Sequence, residues 1–188
     1  MIRSFVRIGA ALAVLTASPA LAFSDPLSRG PIADFLTIFR QGSIPRELVA
    51  WRGGHAPGTV VVSTSERRLY FVLGRGQAIR YGVGVGRQGF TWSGTKTVTM
   101  KREWPDWRPP SQMLQRRPDL PRYMPGGMEN PLGARALYLG SSLYRIHGSN
   151  EPDTIGAAVS SGCIRMTNRD VMDLYDRVRV GTKVVVVR

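Results

Sequence analysis

A chain of 188 residues with one cysteine, Cys163, cannot staple itself with a disulfide, so its fold has to rest on a core of its own. Acidic residues are also scarce, 13 against 26 lysines and arginines, giving a formal net charge of +13. Such an excess excludes an acidic, self-repelling chain and, in a cytosolic protein, would point to nucleic acid. Beyond the first 22 residues no apolar run approaches the roughly 20 residues that span a bilayer. Neither internal repeats nor low-complexity tracts occur, which argues against solenoids and long linkers.

What is present begins with "MIRSFVRIGAALAVLTASPALAFSDP". Arg3 and Arg7 precede an apolar run, Ile8 to Ala17, that ends at Pro19 and the small-x-small stretch Ala20-Leu21-Ala22. This is the layout of a secretory signal peptide with cleavage after Ala22. The run is shorter than a permanent anchor, so no membrane span is expected after cleavage. Removing 22 of 188 residues leaves 166, enough for one domain. Two arginines leave with the peptide, so 24 basic side chains face 13 acidic ones, a formal net charge of +11. Export turns the inference from nucleic acid toward anionic polymers of the periplasm and cell envelope, while an evenly solvated basic surface is the plainer reading. A lone thiol in an oxidising compartment is either a buried apolar residue or a nucleophile.

Along the chain, Ile32, Phe35, Leu36 and Phe39 have the spacing of an amphipathic helix closed by Gly42, an accessory arm within residues 23–57. From Thr59 the pattern becomes β, with three antiparallel strands expected over about 59–63, 68–73 and 77–85, separated by the turn clusters "STSERR" and "GRG". Gly84, Gly86 and Gly89 spell G-x-G-x-x-G, but turn and strand signals follow where a dinucleotide fingerprint needs a helix. The glycines are read instead as points of close backbone approach, and no cofactor or metal is expected. Residues 105–135 hold seven of the thirteen prolines, with a helical turn near Ser111 to Arg117. Trp107, Met113, Leu114, Tyr123 and Met124 give that insertion too much apolar surface for a spacer, so a lid is expected. Strand signals return at "ALYLG" and "LYRIHG"; Thr167 to Asp170 outline a capping box for a helix with Val171, Leu174, Tyr175 and Val178 on one face, and "KVVVV" is a final buried strand.

Of two histidines, His147 ends the strand "YRIH", and Cys163 follows sixteen positions later in "VSSGCIRM". A strand end and a helix entrance are both rigid mounts. A free thiol of pKa near 8.5 is only about 3% thiolate at pH 7, so a base can enlarge the nucleophile population by at most ~30-fold. Backbone N–H donors aimed at a developing oxyanion contribute more, roughly 10²–10³ each. Glycine permits the tight bend that would turn the N–H groups of Gly162 and Cys163 toward one point. Acyl transfer through a thioester would use such a thiol.

"YRIHG" followed by "SSGCIRM" resembles the signature of the L,D-transpeptidases, the YkuD/ErfK-type catalytic domain. The likeness extends over about 58–188, including "VGVGR", "MPGG", "NPLGARALYLG" and "GTKVVVV". It implies a mainly β, β-sandwich-like domain with a short helix after the cysteine. It also implies that Cys163 attacks the carbonyl of the third residue of a peptidoglycan tetrapeptide stem and expels the terminal D-alanine. His147 would take the thiol proton, oriented by the Gly148 carbonyl. Arg165 matches the arginine expected to hold substrate or the cysteine loop, and Ser160 the small hydroxyl position. Many members have histidine before the glycine where this chain has Ser161, and His55 in "GGHAPG" has no motif support as a substitute. The acceptor stays open: a stem amine gives a cross-link, water gives carboxypeptidation, and a lysine anchors an envelope protein. Papain-like hydrolases place cysteine before histidine, against the order here, and a non-catalytic envelope-binding domain is the rival of another class.

Overall fold

A computed structural model describes residues 44–188, together with Leu36. The expected signal peptide and, apart from Leu36, the expected arm helix lie outside the described residues.

The apolar run Val60–Ser63 forms strand β2, buried on both faces, as a run without polar alternation requires. It pairs antiparallel with β3 (Arg68–Gly74) and parallel with the C-terminal β11 (Lys183–Val187). The hairpin from β3 to β4 (Gln77–Gly82) turns through Arg75 and Gly76, at φ +51° and +70°, the pair of positive angles that matches strand twist in a two-residue loop. A further strand, β1 (Glu47–Ala50), adds to the outer edge of β4 and had no clear signal in the sequence. On the other side of β11 come β6 (Gly94–Glu103), β7 (Arg135–Leu139), β8 (Arg145–His147) and β10 (Ile164–Arg165). The nine strands run β1-β4-β3-β2-β11-β6-β7-β8-β10. Leu69, Phe71 and Tyr81 from one half share a single apolar cluster with Leu137, Ile146 and Ile164 from the other, so the sheet curls around a common interior. The protein is mainly β.

The strand expected over 77–85 is split in two. After Gly82 the chain leaves the large sheet, and Val85–Gly86, β5, pairs parallel with β9 (Ala158–Ser160). The glycines explain the departure. Gly84 exchanges backbone hydrogen bonds with Arg165 at 2.9 and 2.8 Å, and a Cβ on Gly86 would lie 2.5 Å from the Phe90 carbonyl oxygen. No helix follows Gly89, which turns at φ +82° before β6.

The insertion over 105–135 carries a short helix, α1 (Ser111–Arg116), and a bridge between Trp107 and Met124. The later helix, α2 (Asn168–Arg177), starts as its capping signal predicts, with Asp170 N–H donating to Thr167 Oγ1 at 3.1 Å. Val171 and Leu174 are buried against the sheet, and Lys101 Nζ donates to the carbonyls of Tyr175 and Val178 at the far end. Among the described residues no helix is long and apolar enough to cross a membrane.

Candidate active site

Strands β8 and β10 run parallel, with His147 opposite Arg165 and Ile146 opposite Ile164. Side chains alternate along a strand, so Arg145 and His147 share one face of this pair. Arg165 faces the same way, and Cys163, two residues before it, enters from the same side. All four line one cleft of about 1120 Å³. Arg87, Phe90 and Ser161 border it from the body, and Trp107, Met113, Leu120 and Met124 from the insertion. The expected lid segment therefore forms a cleft wall, although Tyr123 points elsewhere and stacks under Arg108 at 4.6 Å. His55 lies away from this cleft, with its ring 5.9 Å from that of Trp51.

His147 is 4% exposed, and its Nδ1 stands 2.6 Å from the Gly148 carbonyl oxygen. A carbonyl can only accept, so Nδ1 carries the proton and Nε2 keeps its lone pair. Burial, reinforced by the Arg165 charge, pushes the imidazole pKa down to about 3. The Cys163 thiol is half-buried and lies 3.6 Å from the Leu143 carbonyl oxygen. Burial raises its pKa, opposed by the backbone N–H and charge of Arg145 and by Arg165. Thiol and imidazole thus rest as an uncharged pair.

The loop before the thiol is closed by its own buried hydroxyl. Ser160 is 3% exposed; its Oγ donates to the Cys163 carbonyl at 2.6 Å and accepts from Gly162 N–H at 3.1 Å. One of the two expected backbone donors is occupied in this arrangement. Gly162 N–H is engaged by Ser160 Oγ, because a buried hydroxyl needs partners, whereas Cys163 N–H meets no acceptor among the described residues. Ser160 accordingly supports the loop from the cleft's inner wall, and the neighbouring Ser161 lines the cleft beside it. Gly162 sits at φ +106°, and a Cβ there would come 2.5 Å from the Tyr144 ring. That ring stacks on Trp92 with centroids 4.6 Å apart, and Trp92 Nε1 donates to the Gly162 carbonyl at 2.8 Å.

Arg165 forms an ion pair with Glu151 at 2.9 Å. Asn168, at the start of α2, accepts from Ala134 N–H and donates to the Ser149 carbonyl, fixing the chain just after His147. Sequence reasoning missed Trp92, Tyr144, Arg145, Glu151 and Asn168. Strand alternation alone would have placed Arg145 beside His147; the other four carry no local signal.

Fold and site together describe a mainly β protein that turns one thiol and one neutral imidazole into a single cleft. The sequence model of the YkuD family, described as "L,D-transpeptidase catalytic domain", matches residues 57–186. The chain belongs to this family. It is 36% identical over 180 residues to "Probable L,D-transpeptidase ErfK/SrfK" of Escherichia coli (strain K12), covering 87% of this chain and 55% of that protein. The chain thus spans about half the length of the curated relatives it matches. Among solved structures, the "L,D-transpeptidase from Mycobacterium smegmatis" has the same fold, with a TM-score of 0.53 and 20% identity over 69% of this chain and 58% of that one. A Brucella melitensis structure called a "Probable carnitine operon oxidoreductase caia" is 43% identical, with a TM-score of 0.53, covering 80% of this chain and 98% of that one.

Proposed function

We propose that the protein is a peptidoglycan L,D-transpeptidase of the cell envelope, a cysteine-dependent acyltransferase exported by a signal peptide over residues 1–22, with its catalytic domain over 58–188. The pairing of β8 with β10 supports this reading, because His147 at the end of one strand and Cys163 just before the other line one cleft. Sγ attacks the carbonyl carbon of the third residue of a tetrapeptide stem as His147 Nε2 takes the thiol proton. The uncharged resting pair means that thiolate forms during attack. An oxyanion develops on the carbonyl oxygen, with Cys163 N–H as its backbone donor.

The tetrahedral intermediate collapses by breaking the C–N bond to the terminal D-alanine. Its amine takes the proton back from His147, and an imidazolium of depressed pKa is a strong enough acid to deliver it. The Gly148 carbonyl holds the ring throughout by accepting from Nδ1. An amine of a second stem then attacks the thioester, losing its proton to His147, and the thiol leaves with that proton. The same acyl-enzyme passed to water would give carboxypeptidation, and passed to a lysine would anchor an envelope protein.

Incubating the purified protein with defined muropeptides and weighing the products tests the reading and identifies the acceptor. Cross-linked dimers joined between third residues are expected, with none from Cys163→Ala and little from His147→Gln. Wild-type turnover by either variant would end the mechanism. A binding domain without activity would give no product and no covalent adduct. A carbapenem should instead add the mass of one molecule to the peptide containing Cys163, and Cys163→Ser should label far more slowly.

A further inference from the structure

Arg87 and Arg116 approach the same aromatic ring from two different parts of the molecule. Arg87 follows β5, and its backbone N–H donates to the Ser160 carbonyl at 3.0 Å, so it is tied to the cysteine loop. Arg116 closes α1 in the cleft-wall insertion. Their guanidinium carbons lie 4.4 and 5.1 Å from the Phe90 ring centroid. The two cations are therefore no farther apart than those distances combined, a separation comparable to the Debye length of about 10 Å at 0.1 M salt, so their repulsion is only partly screened. Among the described residues neither has an acidic partner, whereas Arg165 and Arg117, in the same cleft, are paired with Glu151 and Asp119. An aromatic face offsets part of a cation's cost, but it does not neutralise two like charges. A carboxylate between them would accept from both forks and remove the repulsion.

We infer that Arg87 and Arg116 form a clasp for a free carboxylate of the donor stem peptide, which bridges the cysteine loop and the cleft wall while the Phe90 ring packs against the adjoining aliphatic chain. This rests on the reading of the cleft as a stem-peptide site. The clasp selects stems with a free carboxylate over their carboxamides, and filling it draws the insertion onto the loop that carries the thiol.

The test uses the Cys163→Ala full chain, which binds without turning over, with a synthetic tetrapeptide stem and the same stem with its carboxylates converted to carboxamides. Calorimetry should show the acid binding more tightly than the amide, and more weakly as salt rises. Arg87→Gln and Arg116→Gln should each weaken the acid about tenfold and leave the amide unchanged, with lysine at either position restoring part of the loss. Equal binding of acid and amide, or equal weakening of both by the arginine variants, would overturn the clasp. Turnover of the same stems by the wild type is read separately: acid-selective binding that depends on both arginines, without any product, leaves the clasp standing and removes the transferase reading.

Discussion

The cysteine loop and the insertion opposite it face each other across one cleft and are held by different physics. Residues 159–163 are fixed from several directions: by the buried Ser160 hydroxyl within the loop, by Trp92 Nε1 on the Gly162 carbonyl, and by the Tyr144 ring against Gly162. The insertion is held mainly by itself. Helix α1 buries no residue, Arg117 pairs with Asp119 two positions away, and the Trp107–Met124 bridge closes the segment on its own ends. Buried Asn130 donates to the Met124 and Pro125 carbonyls within the segment, and the deep anchors lie toward its ends, at Pro105, Pro109, Leu132 and Ala134. Cys163 thus rides on an over-determined mount, while the middle of the opposite wall has few contacts to lose on moving.

The sharpest way to break this contrast is Gly162→Ala. A left-handed φ and a Cβ 2.5 Å from the Tyr144 ring should together cost about 2 kcal/mol or more. Displacing the thiol should reduce muropeptide turnover about 100-fold. Urea unfolding and a product assay check both, and near-wild-type values would show the loop to be pliable.

The buried imidazole gives the next effect. His147 in the native fold has a pKa of about 3, and an unfolded imidazole titrates near 6.5. Below that value the unfolded chain binds a proton that the native one refuses. Stability therefore falls as pH drops from about 6.5 toward about 3, by at most about 1.4 kcal/mol per unit. His147→Gln should flatten that part of the profile. Asp170, whose carboxyl is raised by burial, acts in the opposite sense at the acid end and is common to both proteins. In the same uncharged pair, alkylation of Cys163 by iodoacetamide should keep rising above pH 8; a plateau already at pH 6 would reveal a resting thiolate.

Trp92→Phe keeps an aromatic ring to stack on Tyr144 but removes the donor to Gly162, a loss of about 1 kcal/mol. Because that bond positions the thiol, kcat should fall with little change in KM. The smallest stability effect belongs to the insertion. Replacing residues 107–127 by a short glycine-serine linker should change the unfolding free energy by no more than about 0.5 kcal/mol, while KM rises or turnover is lost. A large drop in stability would show that the two walls are not held so differently.

Local pattern made much of the fold legible. The valine runs of β2 and β11, the turn at Arg75–Gly76 and the Thr167 cap each write their structure into a few adjacent residues. The short strand β1 left no such trace, since only Val49 of its four residues is even half-buried, so burial imposed no alternation on it. The split after Gly82 was hidden for the converse reason: "YGVGVG" reads as one strand until distant backbone from β9 and Arg165 competes for its hydrogen bonds.

For the candidate site, the sequence determined which residues could carry chemistry. One cysteine and one histidine stand at fixed spacing, with glycine at the bend and arginine beyond it, because residue identity and local backbone freedom are properties of short segments. Tertiary structure decided where their hydrogen bonds point. It engaged Gly162 N–H with Ser160 and left Cys163 N–H open. It also brought Trp92 to a carbonyl 70 residues away, and set Arg87 and Arg116 about one ring. Those contacts join residues far apart in the chain, and periodicity records only how each segment meets the core, not which distant group it meets there.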